Sequence, residues 1–245
     1  MHFRTIGTLL IAVTAFAASA IAQPPAAAPP VVVAAAKLPT VMDAPRFFKV
    51  VSVTLPAGAK SSVTGPSGIL YQISGSTAVS LGGEAKTVNA GEGIYIAAGT
   101  AAQLQAGPGA PSMFLHFFLA EAADLSRPVE KSPASVRELY RATSPIPNLK
   151  AGAYDINLTR ATFAPQMALT PPHQRSGAAL YYIVSGTADN IIEGTTTAQG
   201  PGSFIYEPYS LVHQWANPRA EPATRLVFNI NPEGVAAVLP GAPSK

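Results

Sequence analysis

Short runs of β-branched and aromatic residues recur along the chain, each bounded by a cluster of Gly, Pro, Asn or Ser. FKVVSVTL, ILYQIS, GIYIAA and SMFLHFFL lie in the first half, and YDINLTRATF, ALYYIVSG, SFIYEP and RLVFNI in the second. Runs of this length and make-up, with turn residues between them, predict strands. Such punctuation suits a double-sheet jelly roll.

The two halves repeat each other. A constant shift of 111 residues, without a gap, carries Ser74-Gly75 onto Ser185-Gly186, Gly83 onto Gly194, Gly91 onto Gly202 and Ile94-Tyr95 onto Ile205-Tyr206. The matches are turn glycines and strand residues, where backbone geometry restricts the choice of side chain. The pattern predicts an all-β protein of two tandem jelly-roll barrels.

The segments outside the repeat set the domain boundaries. Residues 1–22 have a basic start (His2, Arg4), an apolar run from Thr5 to Ala20 and a small-x-small site at Ala20-Ile21-Ala22. These are the marks of a cleavable secretory signal peptide, so the expected location is periplasmic or secreted. The Pro/Ala tract at 23–37 reads as an extended tether. The first barrel is expected at 38–120, the second at 151–236 and a tail at 237–245. Between the barrels, the linker 121–150 holds SVRELYRA, which predicts one short helix capped by Ser135.

Composition narrows the chemistry. The chain has no Cys, which excludes thiolate metal sites, cysteine nucleophiles and disulfides. A hydrophobic fraction of 48% against 12% charged residues supplies a core, and 24 Pro with 20 Gly favour turns. The formal charge of +3 forms no basic stripe, so nucleic acid is not an expected partner. Nothing after the signal segment predicts a membrane span. No Gly-rich phosphate loop, nucleophile elbow or H-E-x-x-H pair is present.

The run from Gly202 to Asn217 carries the most specific motif. Gly202, Pro208, His213 and Asn217 stand at the spacing of the second cupin motif, with Ser210 in place of its inner glycine. This stretch resembles the cupin family. Upstream, the first motif falls on Met167, His173, Arg175, Ala179 and Gly186. There the resemblance keeps His173 and the closing Gly186, while Arg175 and Ala179 occupy the slots of a second histidine and a glutamate.

In metal-dependent cupins three histidines and that glutamate hold a divalent ion. The resemblance therefore implies metal ligands at His173 and His213, for one divalent ion such as Fe, Mn, Zn, Ni or Cu. The same shift of 111 places Ser62, Thr64, Gly68 and Ala102 at these positions in the first barrel. That barrel is expected to be structural, with an apolar core and a role in a homodimer interface. His116 lies among apolar neighbours and reads as a histidine satisfied in a core or interface.

Alternation along the strands groups Arg175 with His173, Tyr181 with Ala179, and Trp215 and Asn217 with His213. A cation at Arg175, ~5 Å from a divalent ion at an effective dielectric of ~20, costs roughly 6 kcal/mol. An arginine bordered by Tyr181 and Trp215 has another use, a bidentate grip on a carboxylate or phosphate. Pairing of Arg175 with Glu207 is the plainer alternative.

Three functions stay open from these residues. The first is a small, anionic organic molecule bound by Arg175, His173, His213, Tyr181, Trp215, Asn217 and Glu207. The second is a metal-dependent enzyme (dioxygenase, decarboxylase or lyase) acting on a small organic acid, with Glu207 completing the shell. The third is a structural module with its cavity filled by Tyr181 and Trp215.

Overall fold

The computed structural model of the protein describes residues 29–41 and 44–241. The expected signal peptide, residues 23–28 of the expected tether and residues 242–245 of the tail lie outside the described residues. Among the described residues, the regular structure is all strand apart from one 3-10 turn at Ala122–Asp124. None contains a helix long and apolar enough to cross a membrane.

The first barrel pairs a large and a small sheet. Strands β2 (Phe47–Leu55), β4 (Ser67–Ser74), β7 (Gly93–Ile96), β9 (Ser112–Ala120) and β10 (Ser135–Arg141) form the large one, ordered β10-β2-β9-β4-β7. Strands β3 (Lys60–Val63), β5 (Ser76–Leu81), β6 (Glu84–Asn89) and β8 (Ala102–Ala106) form the small one, ordered β3-β8-β5-β6.

The second barrel repeats that arrangement. Its large sheet runs β1-β11-β18-β13-β16, from β1 (Val31–Val41), β11 (Gly152–Phe163), β13 (Ala178–Ser185), β16 (Phe204–Glu207) and β18 (Ala223–Pro232). Its small sheet runs β15-β14-β17-β12-β19, from β12 (His173–Arg175), β14 (Ala188–Ile192), β15 (Thr195–Gln199), β17 (His213–Ala216) and β19 (Val238–Pro240). The shift of 111 residues carries β4 onto β13 and β7 onto β16, residue for residue.

Three segments depart from the sequence reading. Ser135–Arg141 is not the expected helix but a strand, antiparallel to β2 from Ser135↔Thr54 to Arg141↔Lys49. A lone two-turn helix is marginal in water, whereas the free edge of β2 offers a ladder of hydrogen bonds. The expected tether also corrects. Its residues from Val31 onward form β1, antiparallel to β11 from Val31↔Arg160 to Val41↔Gly152. Val-rich sequence satisfies the β11 edge without needing an amphipathic pattern. The tail likewise supplies β19, paired with β12.

β1 and β10 therefore hold equivalent places, each flanking the long strand of one barrel. The first described strand, β1, completes the second barrel, and the linker strand β10 completes the first. The described fold is two jelly-roll barrels braced by these two outer strands.

Alternation along β18 and β9 gives each large sheet two faces. Leu226, Phe228 and Ile230 join Leu115, Phe117 and Leu119 in one buried cluster between the barrels. Phe228 meets Phe48 and Phe117 there, with ring centroids 5.4 and 5.6 Å away. Each fully buried Phe contributes about 1.5–3 kcal/mol relative to exposure, so this seam fixes the barrels against each other. The opposite faces point into the barrel interiors.

Candidate functional site

The two interiors differ in chemistry at equivalent positions. On β9 the inward residues Phe114, Phe118 and Ala120 belong to an apolar core with Val53, Leu55, Val79 and Leu104. The one titratable side chain beside them on β9, His116, is 1% exposed and its Nδ1 lies 2.8 Å from Glu130 Oε1. Its ring also packs on Phe118, centroids 3.8 Å apart. On β18 the shift of 111 puts Arg225, Asn229 and Asn231 where Phe114, Phe118 and Ala120 stand. Polar groups in such places cost free energy unless partnered, so the second interior is where function is to be sought.

Arg175 on β12 and Glu207 on β16 anchor that interior. Arg175 Nε donates to Glu207 Oε2 at 2.9 Å, its Nη1 to Asn229 Oδ1 at 3.3 Å, and its Nη2 contacts the Tyr181 hydroxyl. Glu207 Oε1 accepts from Trp215 Nε1 at 3.0 Å. Trp215 and Tyr181 are fully buried and stacked, 5.2 Å between centroids, with Phe163 on the other side of Trp215 at 5.3 Å. These rings fill the centre of the barrel. Burial alone raises the Glu207 carboxyl, but His213 and Arg175 together hold it below the usual carboxylate range.

His173 and His213 face each other across β12 and β17, rings 4.3 Å apart. Each Nδ1 lies 2.9 Å from a carbonyl, that of Pro171 or Leu211, and donates to it. His213 Nε2 is 2.9 Å from Glu207 Oε2, within ion-pair range but off the line of a hydrogen bond. Burial lowers the His173 pKa, and the neighbouring His213 ring adds to that.

These donors do not fit the divalent ion that the resemblance implies. Both Glu207 oxygens are already engaged, one by the Arg175 guanidinium and the other by the Trp215 indole. Among the described residues no group of three His, Cys, Asp or Glu side chains could hold a metal. Asn217 is drawn elsewhere: its Nδ2 donates to the carbonyls of Ala164 and Glu221, and its Oδ1 accepts from Arg219 N. It ties the loop after β17.

Beside the aromatic centre lies a cavity of 630 Å³, walled by β1, β11, β18 and the segment leading into β19. Of the residues singled out from the sequence, Arg175 lines it and the others do not. Arg225 also lines it. Its guanidinium lies 3.7 Å from the Phe163 ring centroid, 5.1 Å from Tyr181 and 5.3 Å from Trp215. The residue keeps some surface, but Nε and Nη1 are sealed from solvent and have no hydrogen-bond partner. Burial, reinforced by Arg175 and opposed by Glu207, pushes its pKa down to about 9. It is therefore a cation at neutral pH.

Residues 159–229 match the cupin domain family. That match lies within the second barrel. Solved structures extend the likeness over both barrels. AerE from Microcystis aeruginosa superposes with a TM-score of 0.54 at 16% identity, covering 78% of this chain and 95% of its own. Oxalate decarboxylase from Bacillus subtilis gives a TM-score of 0.56 at 14% identity, covering 83% and 78%. At these identities the likeness is one of fold. No curated protein matches the sequence.

Within the matched residues the one that sequence reasoning missed is Arg225. The run RLVFNI reads from sequence only as one of the predicted strands. The repeat held the signal, because the shift of 111 sets Arg225 opposite Phe114, a core residue of the first barrel.

Proposed function

We propose that this is an exported two-barrel protein whose second, cupin barrel binds a small organic anion without a metal ion. Arg225 carries the reading. Inside the barrel the Arg175 cation and the Glu207 carboxylate offset each other, and Arg225 is left with aromatic faces and no anion. A buried guanidinium with free donors is a strong recognition element for a carboxylate. Its cavity of 630 Å³ falls within the range of about 300–1,000 Å³ found for small-molecule sites.

The apolar interior of the first barrel supports a scaffold role for that half. The signal pattern of residues 1–22 supports export to the periplasm or beyond.

The test is calorimetric titration with octanoate, benzoate and succinate, each beside its uncharged amide. At least one carboxylate is expected to bind where its amide does not, and Arg225→Met is expected to abolish that binding. Carboxylates that bind no better than amides, or equally well to Arg225→Met, would overturn the reading.

A further inference from the structure

The cavity lining leaves two unmet hydrogen-bonding groups, and they lie far apart. In the middle the amides satisfy one another: Asn229 Nδ2 donates to Asn157 Oδ1 at 2.9 Å, and Asn229 Oδ1 accepts from Arg175. Arg225 is the unmet donor. The unmet acceptor is Asn231 Oδ1, on a residue only 4% exposed. The orientation of that amide is fixed, because its Nδ2 donates to the carbonyls of Val235 at 2.8 Å and Pro232 at 3.3 Å.

Arg225 and Asn231 share one face of β18, with Val227 and Asn229 between them, so their Cα atoms are separated by on the order of 20 Å. Val32, Ala35, Ala36, Ala161 and Val238 supply apolar wall along the way. Beside Asn231 the lining adds Asp155, another acceptor, which faces Asn231 across the β11–β18 ladder. Lys37 at that end is paired to Glu233 at 2.6 Å, so its charge is offset.

We infer that the ligand is an elongated organic acid bearing a hydrogen-bond donor at its far end, with the carboxylate at Arg225 and the donor at Asn231. This rests on the anion-binding reading above and narrows it to a chemical class. A cavity donor meets the ligand's acceptor at one end, and a cavity acceptor meets the ligand's donor at the other. An apolar tail would bury the Asn231 oxygen unpaired and lose affinity for that reason.

The experiment compares octanoate, decanoate and dodecanoate with their ω-hydroxy analogues on the chain carrying its N-terminal segment. In the wild type, the ω-hydroxy acid of best-fitting length is expected to bind on the order of fivefold more tightly than the plain acid. Asn231→Ala should remove that difference. Because the wild-type comparison needs no variant, a misfolded substitution does not blur it. If plain acids bind as well as or better than hydroxy acids, and Arg225→Met abolishes both, the donor assignment fails while the anion site stands. If no acid binds, or if Arg225→Met binds as the wild type does, both readings fall together.

Discussion

Arg175 Nε and Glu207 Oε2 meet at 2.9 Å with their side chains 5% and 0% exposed, so the one carboxylate at the centre of the barrel is already taken by a cation. Removing one partner of such a pair leaves an uncompensated buried charge, which typically costs about 3–5 kcal/mol. Glu207→Gln is expected to lower stability by that order in denaturant melts, since it leaves the buried Arg175 guanidinium without its carboxylate. Arg175→Ala should also destabilise, so loss of binding in that variant would not by itself identify a ligand contact. A Glu207→Gln protein as stable as the wild type would show that the pair does not hold the barrel.

Acid should act in two stages. Because the His173 pKa is lowered in the fold, the folded protein binds fewer protons there than the unfolded chain. Its contribution is full above the unfolded value of about 6.5 and declines as pH falls below it. Glu207, also lowered, contributes fully above about 4.3, and that contribution is lost as pH falls through its folded value. The denaturant midpoint is therefore expected to drop from pH 7 downward, and His173→Gln should flatten the upper stage while sparing the lower. An unchanged profile in that variant would assign the upper stage elsewhere.

The barrels were legible because turn glycines and strand residues recur at one spacing, as in Gly91 and Gly202. The face assignments of Tyr181, Trp215 and His213 followed from alternation, and all three side chains are buried together. What sequence could not supply was pairing between distant segments. Nothing local in VVVAAAK or SVRELYR says that a free strand edge waits for it across the fold. The same limit hid the commitment of Arg175 to Glu207, 32 residues away. Arg225 was hidden differently: alternation gives its face, but only comparison with Phe114 reveals that an arginine stands in a core position.

Strand β1 closes the edge of β11 and contributes Val32, Ala35 and Ala36 to the cavity wall. Deleting residues 23–37 is expected to weaken acid binding at least tenfold and to promote self-association through the bared β11 edge. Titration and light scattering on the shortened chain would check both. Binding and monodispersity equal to those of the undeleted chain would mean that β1 is dispensable to the site.

Metal content tests the reading that this barrel holds its anion without a metal ion. With Glu207 engaged by Arg175 and Trp215, His173 and His213 lack the third protein ligand that a site with an open position normally has. Elemental analysis of protein expressed without chelator is expected to find no stoichiometric iron, manganese, zinc, nickel or copper. Chelator should leave the thermal midpoint unmoved. Near-stoichiometric metal that disappears in His213→Ala would require Arg175 to move aside and would reopen the enzyme reading.

Arg225 should set the alkaline limit of binding. Its guanidinium must be charged to hold a carboxylate, and burial brings its pKa to about 9. Octanoic and longer acids are fully ionised across neutral pH, so the ligand adds no titration there. Affinity is expected to be flat from pH 7 to 8 and to fall as pH rises through about 9, by up to tenfold per unit beyond it. The direction follows from the lost proton, since a neutral guanidine offers the carboxylate no charge. Binding that persists unchanged to pH 11 in a protein still folded by circular dichroism would show either that the ligand restores Arg225 to its ordinary value or that another group holds the anion. Arg225→Lys separates these outcomes: a lysine in the same desolvated place should shift the alkaline limit downward, whereas a site elsewhere would leave it where it was.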